Sequence, residues 1–231
     1  IEAAMTALNM APGMNREFVC EKFKNFDKKI FDNARNNAKN KVLDIESIWK
    51  ETKENLKTEI PSFFDKVTIR DAIGNLPDET ESGIINNPSP KTEYQKFLSC
   101  NKEFITNHNG TKHSQKAISR MSRIKKGENF TVLNENIKSV HSGSYGRLEW
   151  DSQAQTITTR FDTPSGGRFT HPDKNRTLTP REAARIQSFP DDFVFCGNRT
   201  SICKQIGNAV PPKLSYFLAR IIDNCIKEID K

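Results

Sequence analysis

One stretch near the C-terminus constrains this chain more than any other: Arg176-Thr-Leu-Thr-Pro-Arg-Glu-Ala-Ala-Arg-Ile-Gln-Ser-Phe-Pro-Asp-Asp-Phe193. It carries start and stop signals for a short helix. Thr179 is a good N-cap, Pro180 suits the first helical position, and Glu182 stands three residues after the cap. This is a capping-box pattern, in which hydroxyl and carboxylate each satisfy an orphan backbone N–H. Pro190 disfavours helical backbone at Phe189, so the helix is expected to end near Ser188. Three arginines cluster here, and Arg176, Thr179, Arg181, Glu182 and Arg185 read as scaffold residues that hold neighbouring parts in place. A second block, Gly207-Asn-Ala-Val-Pro-Pro212, follows closely and reads as a turn opening a last helix.

Composition narrows the class of partner. The formal net charge is +7 and the pI about 9.1, which favours an anionic partner, nucleic acid first. An ordinary Lys- and Asn-rich protein has the same composition. Hydrophobic residues make up 35% and mean hydropathy is −0.70, so the core is modest. There is no apolar run of transmembrane length and no signal peptide, so no membrane role is expected. The five cysteines (Cys20, Cys100, Cys196, Cys203, Cys225) are odd in number and irregularly spaced, which suggests reduced thiols and no zinc site. The chain begins at Ile1, which suggests a fragment, a processed product or one piece of a split protein.

Along the chain, Val19, Phe23, Phe26 and Ile30 recur at helical spacing, and a second helical stretch is predicted over residues 41–56. Residues 66–77 read as an extended entry into a helix, and residues 78–94 as a loop. Basic residues concentrate in 101–130, where Lys102, Lys112, Lys116, Arg120, Arg123, Lys125 and Lys126 face only Glu103 and Glu128. Residues 112–123 have helical spacing with a basic face, which is either a solvated surface or one that tracks phosphates. Residues 141–172 alternate Thr, Ile and aromatics with Gly/Ser/Pro turns, the pattern of short strands and loops. Arg160 and Arg168 sit among small residues there. Either they contact DNA, or the segment is an ordinary turn, or they pair with Asp162 or Asp173. From Leu214 to Ile229 the apolar positions follow a clean helical period.

The blocks at 176–193 and 207–212, in this order and spacing, resemble the last two motifs of the DNA (cytosine-5) methyltransferase family. The resemblance is highly specific in 176–212, weaker in 139–172, and silent over 1–60. It implies an α/β (mixed) fold in three parts: an N-terminal helical segment (1–60), a small target-recognition domain of short strands and loops (61–175), and a C-terminal part (176–231). In that last part the amphipathic helix would pack on a Rossmann-like methyltransferase sheet. It also implies that Asn208, Ala209 and Val210 line an S-adenosylmethionine site. Lys112, Lys116, Arg120, Ser142, Tyr145, Arg147, Thr158, Arg160, Ser165 and Arg168 are then candidates for contact with duplex DNA.

Methylating cytosine C5 needs a thiolate that attacks C6, an acid at N3, a bound cofactor and a flipped base. The family draws the thiol from a Pro-Cys dipeptide, the acid from Glu-Asn-Val, and cofactor binding from a Gly-rich turn. None of these occurs here, since no cysteine follows a proline and Glu135-Asn136-Ile137 stands in the wrong order. By resemblance, then, the chain supplies DNA recognition and the C-terminal elements and is inactive alone. The catalytic part would lie on a partner subunit or on a missing N-terminal region, in the bacterial cytoplasm and at the nucleoid when DNA-bound. The alternative is a non-catalytic methyltransferase-like DNA-binding or regulatory module.

Overall fold

The computed structural model describes residues 44–137 and 142–230. The helical period at Val19 to Ile30 lies outside them. The chain divides into two units: residues 1–65 with 210–231, and residues 66–209.

In the first unit, α1 (Ile45–Glu59) starts at Asp44, whose carboxylate accepts from the Ser47 N–H at 3.0 Å. It ends where Pro61 enters a 3-10 turn (Pro61–Phe64). Leu56, Phe63 and Phe217 are buried together, and each such burial contributes about 1.5–3 kcal/mol. Phe217 belongs to the last helix of the chain, Pro212–Asp230, which packs along α1. Two polar ties flank that seam: Arg220 to Glu59 at 2.6 Å, and the Asn224 amide donating to Thr52 Oγ1 at 2.8 Å. The expected partner of this last helix was a Rossmann-like sheet. Among the described residues its partner is α1, and the outward positions Leu214, Leu218 and Ile222 stay about half exposed.

In the second unit, α2 (Ile69–Ile73) is fixed by a capping box between Thr68 and Asp71. Its buried Ile69, Ala72 and Ile73 join the main core. A two-stranded antiparallel ribbon, β1 (Ile85–Asn86) and β2 (Phe104–Ile105), brackets α3 (Glu93–Leu98). These two strands are the only ones among the described residues, so the architecture is mixed but mainly helix and loop. α4 (Gln115–Ser122) is capped by Ser114, and its Met121 is buried with Ile124, Leu133 and Tyr145 in a second cluster. Residues 141–172 were expected to form short strands and loops. Between residues 142 and 177 there is no extended strand among the described residues, and the pairing there is by isolated bridges, Arg147 to Thr170 and Thr170 to Thr177.

The stretch that dominated the sequence forms α5 (Pro180–Ile186), and both halves of the Thr179–Glu182 capping box are present. The helix stops two residues before the expected Ser188. Ser188 itself takes a left-handed φ of 63°. Its N–H donates to Arg185 O and the Phe189 N–H to Ala184 O, each at 2.9 Å, a Schellman closure built on serine instead of glycine. α6 (Arg199–Gly207) follows and packs on α5; the last helix, Pro212–Asp230, is α7.

The division of the chain differs from the three expected segments. Residues 176–209 fall in the same unit as 66–175 because the side chains of α5 are tied to them throughout. No helix among the described residues is long and apolar enough to cross a membrane.

Candidate nucleic-acid interface and cofactor turn

Six of the seven residues of α5 are buried, including Arg181, Glu182 and Arg185. Buried charge is costly unless it is paired and hydrogen-bonded. Glu182 and Arg185 are paired, and Arg181 is satisfied by hydrogen bonds to carbonyls. Glu182 accepts the Thr179 N–H at 2.7 Å and takes both terminal nitrogens of Arg176, at 2.8 and 2.7 Å. Burial alone would raise the Glu182 pKa, but the Arg176 bonds and charge hold it down at about 2. Arg176 also meets Glu79 at 2.8 Å, and Lys174 joins Glu79 at 2.7 Å. Burial opposes ionisation of Glu79 as well, yet the bonds from Arg176 and Lys174 keep it near 2.

Arg185 makes a bidentate pair with Asp191, at 2.8 and 2.7 Å, and reaches Asn75 Oδ1 at 2.6 Å. Arg181 has no carboxylate against its guanidinium and donates instead to the carbonyls of Thr106, Pro190 and Phe193. Burial pushes its pKa down to about 10, so it stays charged at neutral pH. The five arginine, threonine and glutamate positions read as a scaffold thus lie in one interior, between the ribbon, α2 and the 170s loop.

Two histidines join that interior without any sequence signal. His108 lies against Thr179 Oγ1 at 2.9 Å and Pro77 O at 3.0 Å. A carbonyl can only accept, so Nε2 carries the proton and Nδ1 accepts from the threonine hydroxyl. His171 Nδ1 accepts two backbone N–H groups, from Asp173 at 3.1 Å and Lys174 at 3.2 Å. Burial lowers the His171 pKa to about 4 and lowers that of His108 too.

The candidate DNA contacts divide sharply. Lys112, Lys116, Ser142, Arg160 and Ser165 are exposed. The Arg160 guanidinium has no partner among the described residues, so it matches neither Asp162 nor Asp173. Thr158 is half-buried, and its hydroxyl accepts the Arg160 N–H at 3.3 Å. Arg168 spends one terminal nitrogen on the carbonyls of Gly127, Glu128 and Arg147. Arg120 is held by Glu135 at 2.8 Å and by the Tyr145 hydroxyl at 3.2 Å, while Arg123 takes the other oxygen of Glu135.

Tyr145 is buried, with a left-handed φ of 55°. Arg147 is a correction. It is only 5% exposed, and its guanidinium donates to the carbonyls of Ile124, His171, Lys174 and Met121 and to Asn175 Oδ1. All its donors are used inside the chain, so it closes the loop cluster and offers nothing to a ligand. Glu135, Glu79 and His108 were missed because each acts through residues far away in sequence.

Of the cofactor-turn residues, Asn208 and Ala209 end the second unit and Val210 begins the first, where it is exposed. A ligand carboxylate at this turn would need free backbone N–H groups, but those of Asn208 and Ala209 are used within the chain. They donate to Lys204 O at 3.0 Å and Ile206 O at 3.3 Å. Asn208 keeps an exposed carboxamide with no partner among the described residues, beside the small Ala209. With both N–H groups used, the turn is not an anion cradle. The nearby Cys203 is buried and pushed up to about 12 by burial, so it is an inert thiol.

The profile of the C-5 cytosine-specific DNA methylase family matches residues 17–224. The chain belongs to this family. It is 32% identical over 183 residues to DNA (cytosine-5)-methyltransferase 3 of Arabidopsis thaliana, covering 68% of this chain and 12% of that protein. It is 30% identical over 162 residues to the type II methyltransferase M1.HphI of Haemophilus parahaemolyticus, covering 70% of this chain and 38% of that protein. The chain therefore spans well under half the length of these C-5 DNA methylases. A solved E. coli structure described as a prophage-encoded DNA modification methyltransferase superposes with a TM-score of 0.54 at 24% identity, over 71% of this chain and 48% of that one. That likeness concerns the fold. The C-5 DNA methylase family uses S-adenosylmethionine as methyl donor.

Proposed function

We propose that this chain is the DNA-recognition and C-terminal portion of a DNA (cytosine-5) methyltransferase. The observation that carries this reading is the contrast between exposed cationic side chains and a locked scaffold. Lys112, Lys116 and Arg160 are exposed and their side chains have no partner among the described residues, while the arginines of 176–185 are consumed inside the fold. Exposed lysines suit phosphates, and an unpaired arginine on a fixed loop suits a guanine edge. Recognition sites work when rigid elements present the contacting groups.

Asn208 and Ala209 would form one wall of the S-adenosylmethionine site, the carboxamide holding a polar group of the cofactor. The cofactor supplies the methyl group when bound. The nucleophile is assigned to a polypeptide, or a further part of the same protein, that carries Pro-Cys, because no cysteine of this chain follows proline. Duplex DNA and that catalytic part are the partners. The type II relative supports a bacterial restriction-modification setting.

The test is co-expression of the chain with the reading frames beside its gene, followed by affinity purification. A Pro-Cys-bearing partner, and methyl transfer to duplex DNA by the pair, is the expected result. A stable monomer that binds DNA and yields no methylating complex would favour a non-catalytic module.

A further inference from the structure

Gly207 ends α6 against the backbone of residues 158 and 159. A Cβ there would meet the Thr159 nitrogen and lie 2.5 Å from the Thr158 carbonyl carbon and 2.7 Å from its oxygen. These are backbone atoms, so they cannot rotate away as a side chain would. Gly166 also lies against this segment: its Cβ would meet Arg160 O and lie 3.1 Å from Arg160 Cβ. The segment 158–160 is thus in close backbone contact with two glycines. The Thr158 hydroxyl bonded to the Arg160 N–H stiffens it further. From this closely packed segment the Arg160 side chain projects into solvent, unpaired among the described residues.

We propose that Gly207 is a positioning residue for DNA recognition: it lets the 158–160 backbone rest on the end of α6 and so fixes where Arg160 meets a base. The inference rests on the recognition reading above. It also gives the 207–209 turn a second role, because the loop that reads DNA and the turn assigned to the cofactor share one backbone contact. Movement of either is felt by the other. A Cβ at position 207 would displace the loop and misplace Arg160, while the lysines that track phosphates would be untouched.

The test is affinity selection by the full chain from a randomised duplex library, without S-adenosylmethionine, read by sequencing. Wild type is expected to enrich a base motif. Arg160→Ala should reduce preference at one or two positions about ten-fold or more, as loss of a bidentate arginine does. Gly207→Ala should degrade the same positions and no others, with affinity for random duplex within about three-fold. A general loss of fold would weaken all positions alike.

If Gly207→Ala does not fold, amide exchange of wild type decides: adding the selected duplex should slow residues 206–209 together with 158–160. A Gly207→Ala motif identical to wild type, or protection of 158–160 alone, would overturn the proposal. So would a wild-type motif indifferent to Arg160→Ala, although DNA recognition by the chain would then stand. Failure of wild type to bind duplex at all would overturn the recognition reading and this inference with it.

Discussion

Arg176 and Glu182 are joined by two parallel hydrogen bonds of 2.8 and 2.7 Å in an interior where Glu182 is 2% exposed. The same carboxylate closes the capping box of α5. Removing it would leave the Arg176 charge buried with only Glu79 against it. Glu182→Ala is expected to cost about 3–5 kcal/mol. Glu182→Gln keeps a capping side chain and should cost less. Urea unfolding of both variants checks the order.

Acid should destabilise the protein in two windows. His171 sits near 4 when folded against an ordinary 6.5, so it stays neutral while the unfolded chain takes a proton. Its contribution is complete above pH 6.5 and is lost as pH falls toward 4, at up to about 1.4 kcal/mol per pH unit. His108 acts in the same direction. Glu182 and Glu79, held near 2 against an ordinary 4.5, add a second loss between those values. Stability measured from pH 7 to 3 should fall throughout, and His171→Gln should flatten the upper part of the curve. A Tm that rises on acidification would contradict this.

Two neighbouring arginines should behave oppositely. Arg147→Ala would leave the carbonyls of four residues without their donor and should destabilise the fold by about 3 kcal/mol or more. Arg160→Ala breaks no bond of its guanidinium to the described residues and should leave stability within about 0.5 kcal/mol of wild type while weakening DNA binding. Thermal melts and duplex titration separate the two.

Lys112 and Lys116 should contribute phosphate contacts without base preference. Each Lys→Ala change is expected to reduce the slope of log K against log salt by about 0.9. Titrations at several salt concentrations read this directly, and an unchanged slope would remove the lysine from the interface.

The local signals were the legible ones. The capping boxes at Thr179 and Thr68 depend on residues three apart, so their sequence spacing sufficed for the first. The end of α5 was misjudged because Ser188 takes a conformation usually left to glycine. Arg147 was misread for a different reason: its partners come from 121–124 and 171–175, segments whose convergence no local pattern reveals. Arg120 was a candidate for DNA contact, but Glu135 and Tyr145 hold it. The clean period of α7 showed a buried stripe without naming what covers it. α1 covers part of it, through Phe217 and Ile221.

The central claim is that this chain recognises DNA but does not supply the nucleophile. The most direct measurement is transfer of a labelled methyl group from S-adenosylmethionine to duplex DNA, by the chain alone and by the chain with a Pro-Cys-bearing methyltransferase polypeptide from the same locus. The expected result is no transfer alone and transfer by the pair, lost again when the partner's cysteine is replaced. Sustained methylation by the chain alone would contradict it.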